Sequence, residues 1–177
     1  APTFTANRVK LAEYHLEKNM SSMIHDLVAI SKEAAASTPG HPVYVAGDIT
    51  MTGEQLRPMG KMELEDLIAI YKEQILCLVD AGADLLVVET MMSLAETRAA
   101  LIAAKEVCDL PVIATLTFEA DGRTLFGTDA KTAAVVLESL GASAIGANCS
   151  TGPAQMEGII SDMVSVTTIP IIAKPNA

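Results

Sequence analysis

The sequence has 177 residues, of which 50% are hydrophobic, and a formal net charge of −10. This length and composition are typical of one globular domain with a sizeable core, and the apolar residues come in short runs with no membrane-length stretch. The acidic excess repels phosphate backbones and no basic, aromatic-rich cluster offsets it, so neither nucleic acid nor a membrane is expected as a partner.

The first forty residues are predicted to be helical, over residues 7–19 and 21–37, with no strand between the two helices. Pro39 and Gly40 are expected to end the second helix. The chain begins Ala1-Pro2-Thr3-Phe4, without an initiator Met, a basic segment or an apolar signal core. We interpret it as a segment of a longer polypeptide.

From residue 43 onward, short β-branched runs alternate with longer segments of helical periodicity, which predicts repeated β/α units around a parallel sheet. The strands are apolar on both faces, so helices are expected to cover both sides of the sheet. Five strands are predicted, at residues 43–47, 85–88, 112–116, 144–147 and 169–173. The helices between them are predicted at residues 64–79, 93–108, 129–140 and 152–166, with Ser93 and Asp129 as N-caps.

A weak internal repeat favours a barrel. The sequence AGAD at residues 81–84 precedes one strand as LGAS at residues 140–143 precedes another, and superposing the two units aligns Glu89 with Asn148 and Thr90 with Cys149. Polar residues therefore follow equivalent strand ends, where β/α folds build their sites. A complete barrel takes ~250 residues. The expected fold is an α/β, partial (β/α)8 TIM barrel, one domain over residues 1–177 that lacks the first strands and the last strand.

The three cysteines, Cys77, Cys108 and Cys149, are too few and too far apart for a disulfide framework, which favours a reducing cytoplasm. Cys149 lies in the sequence GANCSTGP at residues 146–153, between a strand end and a helix N-terminus. The helix dipole favours a thiolate there, the form that attacks an electrophile or binds zinc. The pattern alone leaves a small buried core residue equally open.

Several motifs in register resemble one family. GANCSTGP, VET at residues 88–90, GDI at 47–49, TLTF at 115–118 and KPNA at 174–177 resemble the homocysteine-binding (homocysteine S-methyltransferase) module of cobalamin-dependent methionine synthases. The resemblance covers nearly the whole chain and implies a (β/α) barrel. It also implies methyl transfer to the homocysteine thiol, which forms methionine.

In that family three cysteines hold zinc, and the resemblance assigns Cys149 as the first zinc ligand. The other two ligands form an adjacent Cys-Cys pair after the last strand, and this sequence has no such pair. Cys77 and Cys108 are expected on helices that face away from the strand ends. The metal site is therefore expected to be incomplete and the isolated chain inactive. Cobalamin and methyl-folate are expected to be bound by other modules of the parent protein.

The resemblance also suggests substrate contacts. Glu89 would receive the homocysteine amino group, with Asn148 beside it, and Thr3 would help to hold the carboxylate. Asn176 is expected near the metal, with a plain turn role equally open. Glu89 has an alternative role as a strand-end carboxylate satisfied by backbone donors. Asp48 is expected to order loops or to face the site, and no residue is assigned a proton-transfer role.

Two other interpretations remain open. Lys174 at the end of the last strand is a candidate Schiff-base lysine, because a desolvated lysine at a barrel strand end can attack carbonyl carbons. Alternatively, the chain is a non-catalytic fragment that self-associates through its open sheet edges.

Overall fold

The structure, a computed structural model, describes residues 1–177 and has an α/β fold. Its strands are β1 (Ala46–Ile49), β2 (Leu85–Met91), β3 (Val112–Leu116), β4 (Ala144–Asn148) and β5 (Ile171–Lys174). Its helices are α1 (Arg8–Ala12), α2 (Met20–Ala36), α3 (Leu64–Asp80), α4 (Leu94–Val107), α5 (Ala130–Ser139) and α6 (Pro153–Val164). A 3-10 turn, Glu17–Asn19, precedes α2.

The five strands form one sheet in the order β1-β2-β3-β4-β5, and every neighbouring pair is parallel. Each strand therefore pairs with the next one in the chain, and one helix crosses over between each pair. All carboxyl ends meet at one edge of the sheet, which is where such folds place their functional residues. The predicted parallel β/α organisation is confirmed.

The helices form where the sequence gives them an apolar face and a cap. On α3, Leu67, Tyr71, Ile75 and Leu78 follow helical spacing and are fully buried. The side chain of Ser93 accepts a hydrogen bond from the backbone N–H of Glu96 at the start of α4. Asp129 caps α5 in the same way.

The predicted helix over residues 7–19 is wrong. Helix α1 ends at Ala12, and His15 then adopts a φ of 59°, in the left-handed region that interrupts a right-handed helix. Leu11 is the only buried residue of α1. A helix continuing to residue 19 would lack the buried face that stabilises helices in proteins.

The first and last strands begin later than predicted. Tyr44 is 70% exposed, and pairing with β2 begins at Ala46 opposite Leu85. The prediction placed the start of the strand at its first β-branched residue, whereas backbone pairing begins only where the partner strand lies alongside. The last strand likewise begins at Ile171, and as an edge strand it is only partly buried. None of the helices combines the length and apolar character needed to cross a bilayer.

The close packing of β4 against β5 at Gly146 can be tested by substitution. A Cβ at this position would lie 1.9 Å from the backbone O of Ile172, whereas one at Gly158 on α6 would meet nothing within 4 Å. We expect Gly146→Ala to lower the free energy of unfolding by about 1–3 kcal/mol through overpacking. Gly158→Ala, the matched control, should raise it by about 0.5–1 kcal/mol. Urea denaturation measures both, and equal effects would contradict this packing of β4 against β5.

Candidate functional site

The candidate site lies where the carboxyl ends of four strands meet. Asp48 belongs to β1, Glu89 to β2, Asn148 to β4 and Lys174 to β5. Their side chains form two linked groups, a hydrogen-bonded cluster around Asn148 and a charged cluster around Glu89.

The amide of Asn148 is the centre of the first group and is 2% exposed. Its Oδ1 accepts hydrogen bonds from the backbone N–H of Thr90 at 2.9 Å and from the hydroxyl of Thr115 at 2.7 Å. Its Nδ2 donates to Thr90 Oγ1 at 2.8 Å and to Cys149 Sγ at 3.1 Å. All four hydrogen-bonding positions of the amide are therefore filled by protein groups. The cluster joins the ends of β2, β3 and β4.

Thr90, near the end of β2, and Cys149, directly after β4, share an unusual backbone. Their φ angles are 58° and 61°, in the left-handed region that a β-branched threonine rarely adopts. The pairing of β2 with β3 also shifts register between Val88 and Met91. These are the two positions that the internal repeat aligns. Such strained backbone is typical of functional turns held by their surroundings.

The thiol of Cys149 faces this cluster. Its Sγ lies 3.9 Å from Thr90 Oγ1, and its backbone N–H donates to the carbonyl of Lys174 at 3.1 Å. The backbone N–H of Asn176 donates to the carbonyl of Thr151 at 3.0 Å. The chain after β5 therefore lies beside the Cys149 turn, and the expected place of Asn176 near a metal stays a prediction.

The second group is charged. The Nζ of Lys174 forms an ion pair with Oε2 of Glu89, and the two side chains are 46% and 20% exposed. Strands β2 and β5 are three strand spacings apart, which is ~14 Å in a flat sheet. The long Lys174 and Glu89 side chains meet over the carboxyl edge of the sheet, and the part of that edge bordered by Asp48, Glu89 and Lys174 is called the mouth.

Asp48 adds a second carboxyl group to the mouth. Burial, and then the negative charge of Glu89 and a hydrogen bond with it, raise the pKa of Asp48 to about 7, against opposing effects of the Ala1 amino group and Lys174. Its Oδ1 is buried and receives no hydrogen bond from a donor group. A proton held between Asp48 and Glu89 would satisfy that oxygen.

Thr3 lies beside Asp48, fully buried. Its hydroxyl donates to the carbonyl of Asp48 and accepts from the N–H of the same residue, both at 2.9 Å. The hydroxyl of Thr3 and the side-chain amide of Asn148 thus both donate their hydrogen bonds to other groups of the protein. Their geometry suits positioning the site more than direct contact with a ligand, and their predicted substrate contacts stay predictions.

Sequence reasoning missed the partners that hold the site together. Thr90 and Thr115 contact Asn148, and Lys174 pairs with Glu89. The internal repeat aligned Thr90 with Cys149 and was the one available signal for the threonine. Nothing in the sequence indicated that β5 reaches across to β2.

A zinc ion needs three or four protein ligands. No group of three or more His, Cys, Asp or Glu side chains that could hold a metal occurs in the structure. Cys108 lies at the end of α4 in a cavity of about 300 Å³ beside Pro111 and Val112, at the amino end of β3 and away from Cys149. The residues of this chain do not by themselves fit a zinc site.

The Schiff-base interpretation of Lys174 requires a desolvated lysine. The Lys174 side chain is instead nearly half exposed and paired with a carboxylate. This environment gives that interpretation no support.

Known proteins similar to this chain agree on one family. The family "Homocysteine S-methyltransferase" matches residues 1–177. Methionine synthases of Mycobacterium leprae (strain TN) and Mycobacterium tuberculosis (strain ATCC 25618 / H37Rv) are each 30% identical over 182 residues, which cover 99% of this chain. The chain spans only 15% of the length of these relatives.

Solved structures of the homocysteine methyltransferase MmuM from Escherichia coli share the fold. The metallated form superposes with a TM-score of 0.84 at 20% identity, over 99% of this chain and 65% of that one. The oxidized form gives a TM-score of 0.83 at 21% identity, over 99% and 64% of the two chains.

The raised pKa of Asp48 predicts a pH-dependent stability. A carboxyl whose folded-state pKa lies above its unfolded value stabilises the protein at low pH, and this contribution is lost as the pH rises from about 4 to about 7. As the pH rises through this window, we expect the free energy of unfolding of Asp48→Asn to increase relative to that of the unsubstituted protein. Urea denaturation at pH 5 and pH 8 measures the change. Asp26→Asn, on the exposed face of α2, is the control, and the same pH profile for both variants would contradict the prediction.

Proposed function

Because this chain belongs to the homocysteine S-methyltransferase family, we propose that it forms the homocysteine-binding part of an enzyme that methylates homocysteine to methionine. The observation that carries the proposal is the meeting of Glu89 and Cys149 at one mouth. Asn148 links them, because it hydrogen-bonds both to Thr90, the neighbour of Glu89, and to the Cys149 thiol. A carboxylate and a thiol on one edge of the sheet suit a ligand that carries both an ammonium and a sulfur.

The proposed orientation of homocysteine follows from these two groups. Its ammonium lies against Glu89, where a charge-assisted hydrogen bond forms. Its sulfur lies towards Cys149. Asn148 and Thr3 hold the surrounding turns in place, and Thr3 fixes the backbone of Asp48 beside Glu89.

We also propose that the sheet is the central part of a (β/α)8 barrel. The ion pair between Lys174 and Glu89 across the mouth supports the curvature that a barrel needs. The chain also matches 65% of the MmuM fold. Further residues of the parent polypeptide would complete the barrel and cover the open edges of β1 and β5.

Cofactors are proposed for the parent enzyme. Cys149 would contribute one zinc ligand, with the others from outside residues 1–177 and Asn176 at the rim. A bound zinc ion keeps a coordinated thiol deprotonated. Cobalamin and methyl-folate would be bound by other modules, so residues 1–177 alone are proposed to be inactive. The three free cysteines fit a reducing cytoplasm.

Cys149 is tested in the full-length polypeptide. Cys149→Ser should lower zinc content and reduce homocysteine methylation by roughly 100-fold or more, since even partners of metal ligands contribute 10–100-fold. The matched control is Cys77→Ser on α3, which should leave both unchanged. Metal analysis and a methionine-formation assay give the two readouts. Zinc content and activity at the unsubstituted level in Cys149→Ser would overturn the assignment.

Glu89 is tested by steady-state kinetics. Glu89→Gln should raise the KM for homocysteine by about 10–100-fold, because a hydrogen bond to a charged group contributes about 1.5–3 kcal/mol. Glu106→Gln is the control, since Glu106 pairs with Lys72 away from the strand ends. An unchanged KM in Glu89→Gln would show that the ammonium binds elsewhere.

A further inference from the structure

The ammonium group of Lys174 already occupies the carboxylate that the proposed function gives to the substrate. Lys174 Nζ pairs with Glu89 Oε2. An amino-acid ligand whose ammonium binds Glu89 therefore competes with the ammonium of Lys174. It must displace the lysine or share the carboxylate with it.

We infer that Lys174 is an internal ammonium that fills the amino-group subsite of Glu89 in the ligand-free protein and is displaced by the ligand's ammonium. This inference rests on the proposed function, because it takes Glu89 as the amino-group contact. Lys174 is then a specificity-determining residue. It sets how strongly the site prefers amino thiols with a free primary amine.

The geometry permits this exchange. The Lys174 side chain is 46% exposed, so its ammonium can move into solvent without being left desolvated. Its four-carbon stem is flexible, and it makes one ion pair. The Glu89 side chain is only 20% exposed, and its backbone is held in place because the Thr50 hydroxyl donates to its carbonyl at 2.9 Å and Asn148 binds Thr90. The lysine is the mobile partner of the pair.

Charge balance explains why a lysine belongs there. Without it, the Ala1 amino group would be the one positive charge left to offset the charges of Asp48 and Glu89. Lys174 lowers the repulsion between the two carboxyl groups until a ligand ammonium replaces it. A thiol ligand without an amino group cannot compensate Glu89 and should leave the ion pair intact.

The inference predicts that Lys174 weakens the binding of one ligand and leaves that of another nearly unchanged. Calorimetric titration of the full-length polypeptide compares homocysteine with 4-mercaptobutanoate, which lacks the amino group. Lys174→Met should tighten homocysteine binding about fivefold, the equivalent of ~1 kcal/mol for a partly exposed ion pair. Binding of 4-mercaptobutanoate should change less than twofold. Lys131→Met, which breaks the exposed pair with Asp162 on α6, is the control and should change neither.

Lys174→Gln keeps a polar side chain and should change the two affinities as Lys174→Met does. It provides the same test if Lys174→Met fails to fold. Equal weakening of both ligands in these variants would mean that Lys174 binds the ligand carboxylate, and it would overturn the inference. Unchanged affinities would overturn it as well. A polypeptide that binds homocysteine in no form, substituted or not, would instead overturn the proposed function and the inference with it.

Discussion

The buried amide of Asn148 is the constraint on which the rest of the site depends. It supplies two acceptor and two donor contacts to groups from three strand ends, and none of its hydrogen-bonding positions is left for solvent. Without this side chain, the fully buried Thr115 hydroxyl would lose its hydrogen-bond partner, at a cost of about 1–3 kcal/mol. The amide therefore fixes the relative positions of the Glu89 and Cys149 turns, and both candidate ligand contacts rely on it.

The charged groups complete this arrangement. Asp48 lies near Glu89 although burial and the negative charge of Glu89 both disfavour the ionised form of Asp48, and the pKa of Asp48 rises to about 7 as a result. A fold has no structural need for two carboxyl groups at one strand edge, and such placements are typical of functional sites. Lys174 offsets part of the charge from across the mouth. The charged side chains of β1, β2 and β5 are therefore clustered at one edge of the sheet.

The sequence predicted the organisation of the fold and the edge on which the site lies. Periodicity located five strands and the caps at Ser93 and Asp129, and the internal repeat aligned Thr90 with Cys149, which share a left-handed backbone. The end of α1 was missed because the left-handed His15 has no signature in hydrophobic periodicity. The pairing of Lys174 with Glu89 was missed because it joins side chains of two strands that are not neighbours in the sheet, a contact of the assembled strands that no local segment encodes.

The central claim is that the mouth holds homocysteine between Glu89 and Cys149. The most direct test is a crystal structure of the full-length polypeptide with homocysteine bound. The account predicts the ligand ammonium within hydrogen-bonding distance of Glu89 and the ligand sulfur on the side of Cys149, with the Asn148 contacts to Thr90 preserved. Homocysteine bound away from the carboxyl ends of the strands, or with its sulfur directed away from Cys149, would contradict the account.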